Sequence, residues 1–395
     1  MLTLAPDAGV PQRDALLSET TVARLLGAPV ERVYAKYRFG ESLRVVYRVG
    51  ADGHVAARTF CGGASAVAYE RALAAAVTAG PLPPVIHAPS LDTVFWRFPN
   101  DRRIAALPLL APGAPDLARL LGHPCAAVRV LAYAAERAAN AACLDERGRV
   151  LAYVKVHAGD TAGRERRALE LLAGAGPRVP RLLAASERAL ALEPLPGRRV
   201  DGLGGRELET ALRALGRALA VLHDVAPERQ PRFARLDSDR LGRAVSLIAR
   251  ARPDAGRSAE LLLAALLGGR PTAAPEVCLH GDANLRNAIL DGEGVALIDL
   301  EDVAAGPAAA DLGQLLAALL AARVLGRITS SRERALGAAL LDGYRAAARM
   351  PDPGSLRWHT AASVLARVAL PAVSRVRIPV LRRLAPLLAA AEAIA

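Results

Sequence analysis

The chain has 395 residues, a length typical of two or three domains, and 52% of them are hydrophobic, enough for a packed core. Basic residues number 51 and acidic residues 39, so the formal charge is +12. The four cysteines form no CxxC pair, which argues against a zinc site and favours a reducing compartment. No signal peptide and no bilayer-length apolar run stand out in the sequence. We therefore expect a cytoplasmic protein without a membrane segment.

The positive charge has two interpretations. It could attract nucleic acid or another polyanion, or it could reflect a general use of arginine in place of lysine. No helix-turn-helix, zinc finger or RNP-like aromatic stretch accompanies the charge. We therefore expect no nucleic-acid partner. Binding to a polyanion stays open as a hypothesis that steeply salt-dependent retention on DNA would support.

The N-terminal region is predicted to contain strands with a few helices. "SETTVARLLG" is typical of a short capped helix. The stretch "RVYAKYRFGESLRVVYRVG" predicts strands, and a helix is expected near Ser65–Val77. A proline-marked loop and two more strands follow, up to about residue 104.

The same order of elements then returns, which suggests an internal repeat. A shift of 96 positions aligns Tyr37 with Tyr133, Gly63 with Gly159, and Pro84 with Pro180. Because tyrosine, glycine and proline are less abundant here than alanine or arginine, these ordered matches carry weight. We predict a strand–helix–strand module that occurs twice.

From Gly205 onward the sequence predicts helices, with leucines at helical spacing from Leu208 to Leu222. The segment "VCLHGDANLRNAILDGEGVALIDLED" interrupts this pattern. Its two apolar runs flank "DGEG", a tight-turn signal. A loop that carries Asp282 and Asn287 is therefore expected to lead into a hairpin that ends at Asp299.

This segment has the residue types that phosphoryl transfer requires. Transfer from a nucleotide needs magnesium held against the phosphates and a group that orients the acceptor hydroxyl. Magnesium prefers oxygen ligands, which Asn287 and Asp299 would supply. Asp282 would then accept the hydroxyl proton. An isolated HGD is more often a turn, but the full spacing is specific.

The stretch "HGDANLRN…LIDLED…AAADLGQL" resembles the signature of the aminoglycoside phosphotransferase and choline kinase-like family. The resemblance covers about residues 128–370. It implies an α+β, two-lobed, protein kinase-like fold that binds ATP, or sometimes GTP, and Mg²⁺ between the lobes. By motif, Asp282 would be the catalytic base and Asn287 and Asp299 the metal ligands. Asp311 matches a position that ties down the catalytic loop.

The resemblance also implies nucleotide-binding residues upstream. "LAYVKV" would supply Lys155 to the phosphates, and Glu165 on the next helix would hold that lysine. "LALEPLPGRR" resembles the hinge between the lobes. Because Pro194 has no N–H, the Glu193 carbonyl and the Leu195 N–H would bind adenine. The alternatives are that Lys155 is an ordinary exposed strand lysine and that the Pro194 segment is an ordinary loop.

Two departures from the family pattern concern the hairpins. The predicted turn in "YAAERAANAAC" has no glycine, so the cover over the phosphates is expected to be loose. In the first copy, Thr59 aligns with Lys155, or Arg58 does if the hairpin slips by one residue. Neither alignment places a lysine there.

We predict a degenerate repeat at 1–110, a nucleotide lobe at 128–200 and a helical catalytic lobe at 201–395. The repeat could cap the active lobe, form a homodimer surface or shape the acceptor site.

The expected function is ATP- and Mg²⁺-dependent phosphorylation of a small-molecule hydroxyl. The alternative is an inactive kinase fold that binds or regulates. Cationic aminoglycosides are expected to need acidic surroundings, whereas arginine is abundant after residue 320. The sequence therefore favours a sugar, a polyol or an acceptor with a carboxylate or phosphate.

Overall fold

Strands dominate the chain up to residue 199, and helices dominate after residue 205. The computed structural model describes residues 4–50, 53–78, 82–174, 176–227, 230–234, 236–272 and 274–395. This distribution confirms the predicted α+β class, in which a β-rich part precedes a mostly helical part. None of the described helices is long and apolar enough to cross a membrane.

The first sheet has five antiparallel strands in the order β1-β2-β3-β5-β4. They are β1 (Val30–Arg38), β2 (Ser42–Val49), β3 (Gly53–Thr59), β4 (Val85–Ala88) and β5 (Thr93–Arg97). The helices beside this sheet are α1 (Arg13–Leu17), α2 (Glu19–Leu26) and α3 (Ser65–Ala74). The predicted cap of α2 is present, since the Ser18 hydroxyl accepts a hydrogen bond from the Thr21 N–H.

The second sheet repeats this topology, with the strand order β6-β7-β8-β10-β9. Its strands are β6 (Ala127–Ala134), β7 (Ala138–Leu144), β8 (Val150–His157), β9 (Leu182–Ala185) and β10 (Ala189–Leu192). Helix α4 (Pro115–Leu121) precedes the sheet, and α5 (Thr161–Leu172) occupies the place that α3 has in the first sheet. The two modules therefore share both their strand order and the position of their helix.

The pairing of strands identifies the residue that corresponds to Lys155. Lys155 pairs with Asn140 and Leu190. The residues 96 positions before these two partners, Arg44 and Val94, both pair with Arg58. The register shift between Cys143 and Leu144 leaves one extra residue in β8, which explains the difference of one position. Arg58, and not Thr59, is therefore the structural counterpart of Lys155.

The rest of the chain is mainly helical. Its helices are α6 (Gly205–His223), α7 (Ser238–Ala251), α8 (Pro253–Gly268), α9 (Ala309–Val324), α10 (Ser330–Arg345), α11 (Pro353–Ser363), α12 (Leu370–Ser374), α13 (Ile378–Leu381) and α14 (Leu384–Glu392). A π-helical segment, Val364–Ala369, joins α11 to α12. Short strands complete the lobe: β11 (Arg198–Arg199), β12 (Glu276–Leu279), β13 (Ala288–Asp291), β14 (Gly294–Leu297) and β15 (Ala304–Pro307). The predicted hairpin is the β13–β14 pair.

The first sheet is buried on both faces. Val46 and Ala56 pack with Tyr133 and other residues of the second sheet. Val45 and Tyr47, which point to the opposite face, belong to the same hydrophobic cluster as apolar side chains of α7, α8, α12 and α14. The first sheet therefore lies between the second sheet and the helical lobe.

Candidate active site

A cavity of about 1030 Å³ lies between the second sheet and the helical lobe. Lys155 on β8 lines one side of this cavity. Asp282, which follows β12, and Asp299, which follows β14, line the other. The fold thus brings residues that are more than a hundred positions apart in sequence into one cleft.

The loop before Asp282 is held by Asp311, a fully buried carboxylate at the start of α9. Asp311 Oδ2 accepts from the His280 N–H at 2.7 Å, and Oδ1 accepts from the Gly281 N–H at 3.0 Å. His223 Nε2 lies 3.2 Å from Asp311 Oδ2. These contacts agree with the structural role expected for Asp311.

His280 joins the Asp282 loop to the segment that carries Asp299. Its Nδ1 accepts from the Asp282 N–H at 3.3 Å, so its Nε2 is the nitrogen that donates to the Ile298 carbonyl at 3.0 Å. Gly281 is required between them, because its φ is +74° and a Cβ atom there would lie 2.0 Å from the Asp302 carbonyl oxygen. The loop is therefore fixed from both sides.

Asn287 lies at the end of a 3₁₀ turn and contacts Asp282 directly. Its Nδ2 donates to the Asp282 carbonyl at 3.1 Å and to Asp282 Oδ2 at 3.3 Å. With the amide nitrogen used in this way, the Oδ1 atom of Asn287 is the group that could bind a cation.

Lys155 connects the two lobes through two ion pairs. Its Nζ lies 2.5 Å from Glu165 Oε1 on α5 and 2.8 Å from Asp299 Oδ1. Burial alone would lower the pKa of Lys155, but the two carboxylates outweigh burial and raise it. Burial would likewise raise the pKa values of Glu165 and Asp299, and the charge of Lys155 holds both below their usual range. All three groups are therefore charged at neutral pH.

The sequence model of the phosphotransferase enzyme family matches residues 145–359, a little over half of the chain. The protein belongs to this family. The matched part contains Lys155, the Asp282 loop and Asp299, whereas the first sheet lies outside it. No curated protein matches the sequence.

Solved structures of other phosphotransferases resemble this family member. A thermostable mutant of the aminoglycoside phosphotransferase APH(4)-Ia is 14% identical, with 70% of this chain and 96% of that chain covered and a TM-score of 0.51. Macrolide 2'-phosphotransferase MphH from Brachybacterium faecium is 19% identical, with coverages of 71% and 95% and a TM-score of 0.47. An amicoumacin kinase in complex with AMP-PNP and Ca²⁺ is 16% identical, with coverages of 67% and 88% and a TM-score of 0.48. The protein has the kinase-like fold of APH(4)-Ia.

In this family member, the predicted hinge residues directly follow β10. The Glu193 N–H donates to the Arg181 carbonyl at 3.0 Å, and the Glu193 carboxylate accepts from the Arg181 N–H at 3.0 Å. These contacts extend the β9–β10 pairing and fix the hinge at Glu193. The proposed adenine contacts of the Glu193 carbonyl and the Leu195 N–H stay predictions.

The structure places on Asp282 a cation, Arg367, that the sequence did not predict. Arg367 of the π-helical segment donates to Asp282 Oδ1, to the Gly281 carbonyl at 3.2 Å and to Gln314 Oε1 at 3.1 Å. π-helical segments frequently lie at functional sites. Arg367 lies far from the motif in sequence and is one of many arginines in the C-terminal region, so no sequence signal marks it.

A second missed group lies behind Lys155. His157 is buried, with its Nε2 3.5 Å from Glu165 Oε2 and its Nδ1 3.8 Å from Glu301 Oε2. Glu301 also pairs with Arg137 at the turn that follows β6. The alternation of side chains along β8 could have indicated His157, since it lies two residues after Lys155 on the same face.

Proposed function

We propose that the protein is a kinase that uses ATP and Mg²⁺ to phosphorylate a hydroxyl group of a small molecule. One observation carries this proposal: Lys155, Asp282 and Asp299 line a single cavity, with Glu165 and Asn287 holding the side chains that face it. These are the parts that phosphoryl transfer requires.

The donor set of the cleft fits magnesium. Asn287 Oδ1 and the Asp299 carboxylate are hard oxygen donors, and Asp299 adopts a left-handed backbone conformation (φ 65°), which is uncommon outside glycine. When bound, Mg²⁺ neutralises charge on the nucleotide phosphates. Lys155 would exchange its contact with Asp299 for the phosphates while Glu165 keeps it in place.

Asp282 would orient the acceptor and take its proton. The acceptor oxygen forms a bond to the γ-phosphorus, and the bond from that phosphorus to the bridging oxygen of ATP breaks, which leaves the electron pair on ADP. The hydroxyl proton goes to the Asp282 carboxylate. Arg367 and Asn287 fix the two carboxylate oxygens in position for this step.

The acceptor class follows from the charge of the cavity wall. Nine basic side chains line it: Arg48, Arg129, Arg137, Lys155, Arg286, Arg327, Arg367, Arg375 and Arg377. Five acidic side chains oppose them: Asp201, Asp282, Asp299, Glu301 and Asp302. A polycationic acceptor would be repelled, so we propose a sugar, a polyol or a related metabolite.

A screen of acceptors tests the proposal. The purified protein would be incubated with ATP and Mg²⁺ and with sugars, polyols, amino alcohols and aminoglycosides, and ADP release would be followed. Turnover on a neutral or anionic hydroxyl compound is expected. Nucleotide binding without turnover on any acceptor would favour an inactive, regulatory kinase fold instead.

A further inference from the structure

Three arginines that line the cleft lie close to one another, and one of them contacts Asp282. Arg286 lies in the 3₁₀ turn after Asp282, Arg375 directly follows α12, and Arg377 directly precedes α13. All three line the same cavity as Asp282. We call them the acceptor-side arginines.

The acceptor-side arginines have little compensating charge. The Arg286 guanidinium lies 3.6 Å from Asp282 Oδ2, a carboxylate that Arg367 already pairs. In the described part of the chain, no carboxylate lies within 4.0 Å of Arg375 or Arg377. Burial and then Arg375 lower the pKa of Arg377 to about 10. Arg375 and Arg377 are half-buried and Arg286 is exposed. Like charges held this close repel one another, so this arrangement favours an anion between them.

The backbone between two of these arginines is strained. Val376 has φ +49°, a left-handed conformation that is a true outlier for a β-branched residue. The Val376 N–H bonds the Val373 carbonyl, and the Arg377 N–H bonds the Ala372 carbonyl, so α12 ends in a Schellman motif with valine where glycine is usual. This turn directs both arginine side chains to the cavity, and backbone strain of this kind concentrates at ligand-binding sites.

We infer that the acceptor carries a carboxylate or phosphate group that the acceptor-side arginines bind, while a hydroxyl of the same molecule lies at Asp282. This inference rests on the proposed kinase function. Guanidinium groups bind carboxylate and phosphate through paired N–H donors, which gives both affinity and orientation. Because Arg286 contacts Asp282, an anion bound there holds the acceptor next to the group that takes its proton.

Anion binding can be measured without turnover. The nucleotide site would first be saturated with Mg²⁺ and AMP-PNP, and inorganic phosphate, gluconate or neutral glucose would then be titrated by calorimetry. Gluconate and phosphate distinguish a carboxylate site from a phosphate site. Arg375→Ala and Arg377→Ala are expected to weaken binding of the preferred anion at least tenfold. Arg382→Ala, an exposed arginine on the same segment, serves as the matched control.

The outcomes separate this inference from the kinase proposal. Unchanged anion binding in Arg375→Ala and Arg377→Ala, or no anion binding by the wild-type protein, would overturn the inference, and ATP turnover on a neutral acceptor would still support the kinase. Anion binding without phosphoryl transfer to any acceptor would instead contradict the kinase function, and the inference that the arginines bind an anion would still stand. In a kinase assay, the two variants should raise KM for the acceptor and leave KM for ATP within about twofold. A raised KM for ATP with an unchanged KM for the acceptor would instead show that these arginines bind ATP.

Discussion

The Arg58 Nη1 atom lies 3.0 Å from the Oε2 atom of Glu136, so the first sheet holds the turn between β6 and β7 of the second. Arg58 corresponds in register to Lys155, the residue that pairs with Glu165 in the second sheet. Arg44 and Arg102 also lie within 3.5 Å of the same carboxylate oxygen. In the first copy, the cation that corresponds to Lys155 therefore contacts a carboxylate in the β6–β7 turn of the second sheet.

Glu136→Ala should destabilise the protein. The Glu136 side chain is only 4% exposed, and its loss would leave several arginines without a partner. We expect the free energy of unfolding to fall by on the order of 2–3 kcal/mol. This loss is at or below the usual range for breaking a buried ion pair, because the arginines are partly exposed. Urea denaturation would measure it. Glu146→Ala, an exposed glutamate in the next hairpin, should change stability by less than about 0.5 kcal/mol; equal effects would refute the role of Glu136.

Lys155→Ala should impair catalysis, whereas Arg58→Ala should not do so directly. Only Lys155 has both Glu165 and Asp299 beside it. We expect kcat/KM to fall at least about tenfold, which is ~1.4 kcal/mol, and Lys155→Arg should not restore it because a planar guanidinium does not replace a compact ammonium. Steady-state kinetics of the folded variants would decide. A larger loss in Arg58→Ala would place the active nucleotide lobe in the first copy.

Asn287→Ala and Asp299→Ala should act through magnesium. Removing an oxygen ligand weakens a hard-cation site, and a carboxylate contributes more than an amide. Excess Mg²⁺ should therefore restore much of the activity of Asn287→Ala and less of that of Asp299→Ala. Rates measured across a magnesium titration would show this, and the assignment fails if neither variant responds.

Lys36→Met should change the dependence of stability on pH. Burial, then Arg375 and Arg44, lower the pKa of Lys36 to about 8 in the folded protein. Between about pH 8 and the unfolded value of 10.5 the unfolded chain binds more protons, so wild-type stability should gain a contribution as pH rises through that window. The variant should lack this contribution and be more stable at pH 7, by on the order of 2 kcal/mol. Melting curves at pH 7 and 10 that shift equally in both proteins would rule this out.

The motif predicted the candidate-site residues that lie in one contiguous segment, and their roles stay predictions. The positions of Asp282, Asn287 and Asp299 follow from their spacing and from a hairpin, and the amino-acid sequence shows both. The choice between Thr59 and Arg58 could not be made, because one bulged residue in β8 shifts the register and only strand pairing reveals it. The Thr59 hydroxyl instead bonds the Leu43 backbone. Arg367 and Glu136 were missed because long-range ion pairs leave no local pattern.

The most direct test of the proposed function is the activity of Asp282→Asn. An amide cannot accept the hydroxyl proton, and general-base contributions are on the order of 10²–10⁴-fold. We therefore expect turnover to fall by at least about 10²-fold on an acceptor that the wild-type protein phosphorylates, while AMP-PNP binding and the melting temperature stay close to wild type. Activity within about twofold of wild type, a margin small beside that range, would contradict the account.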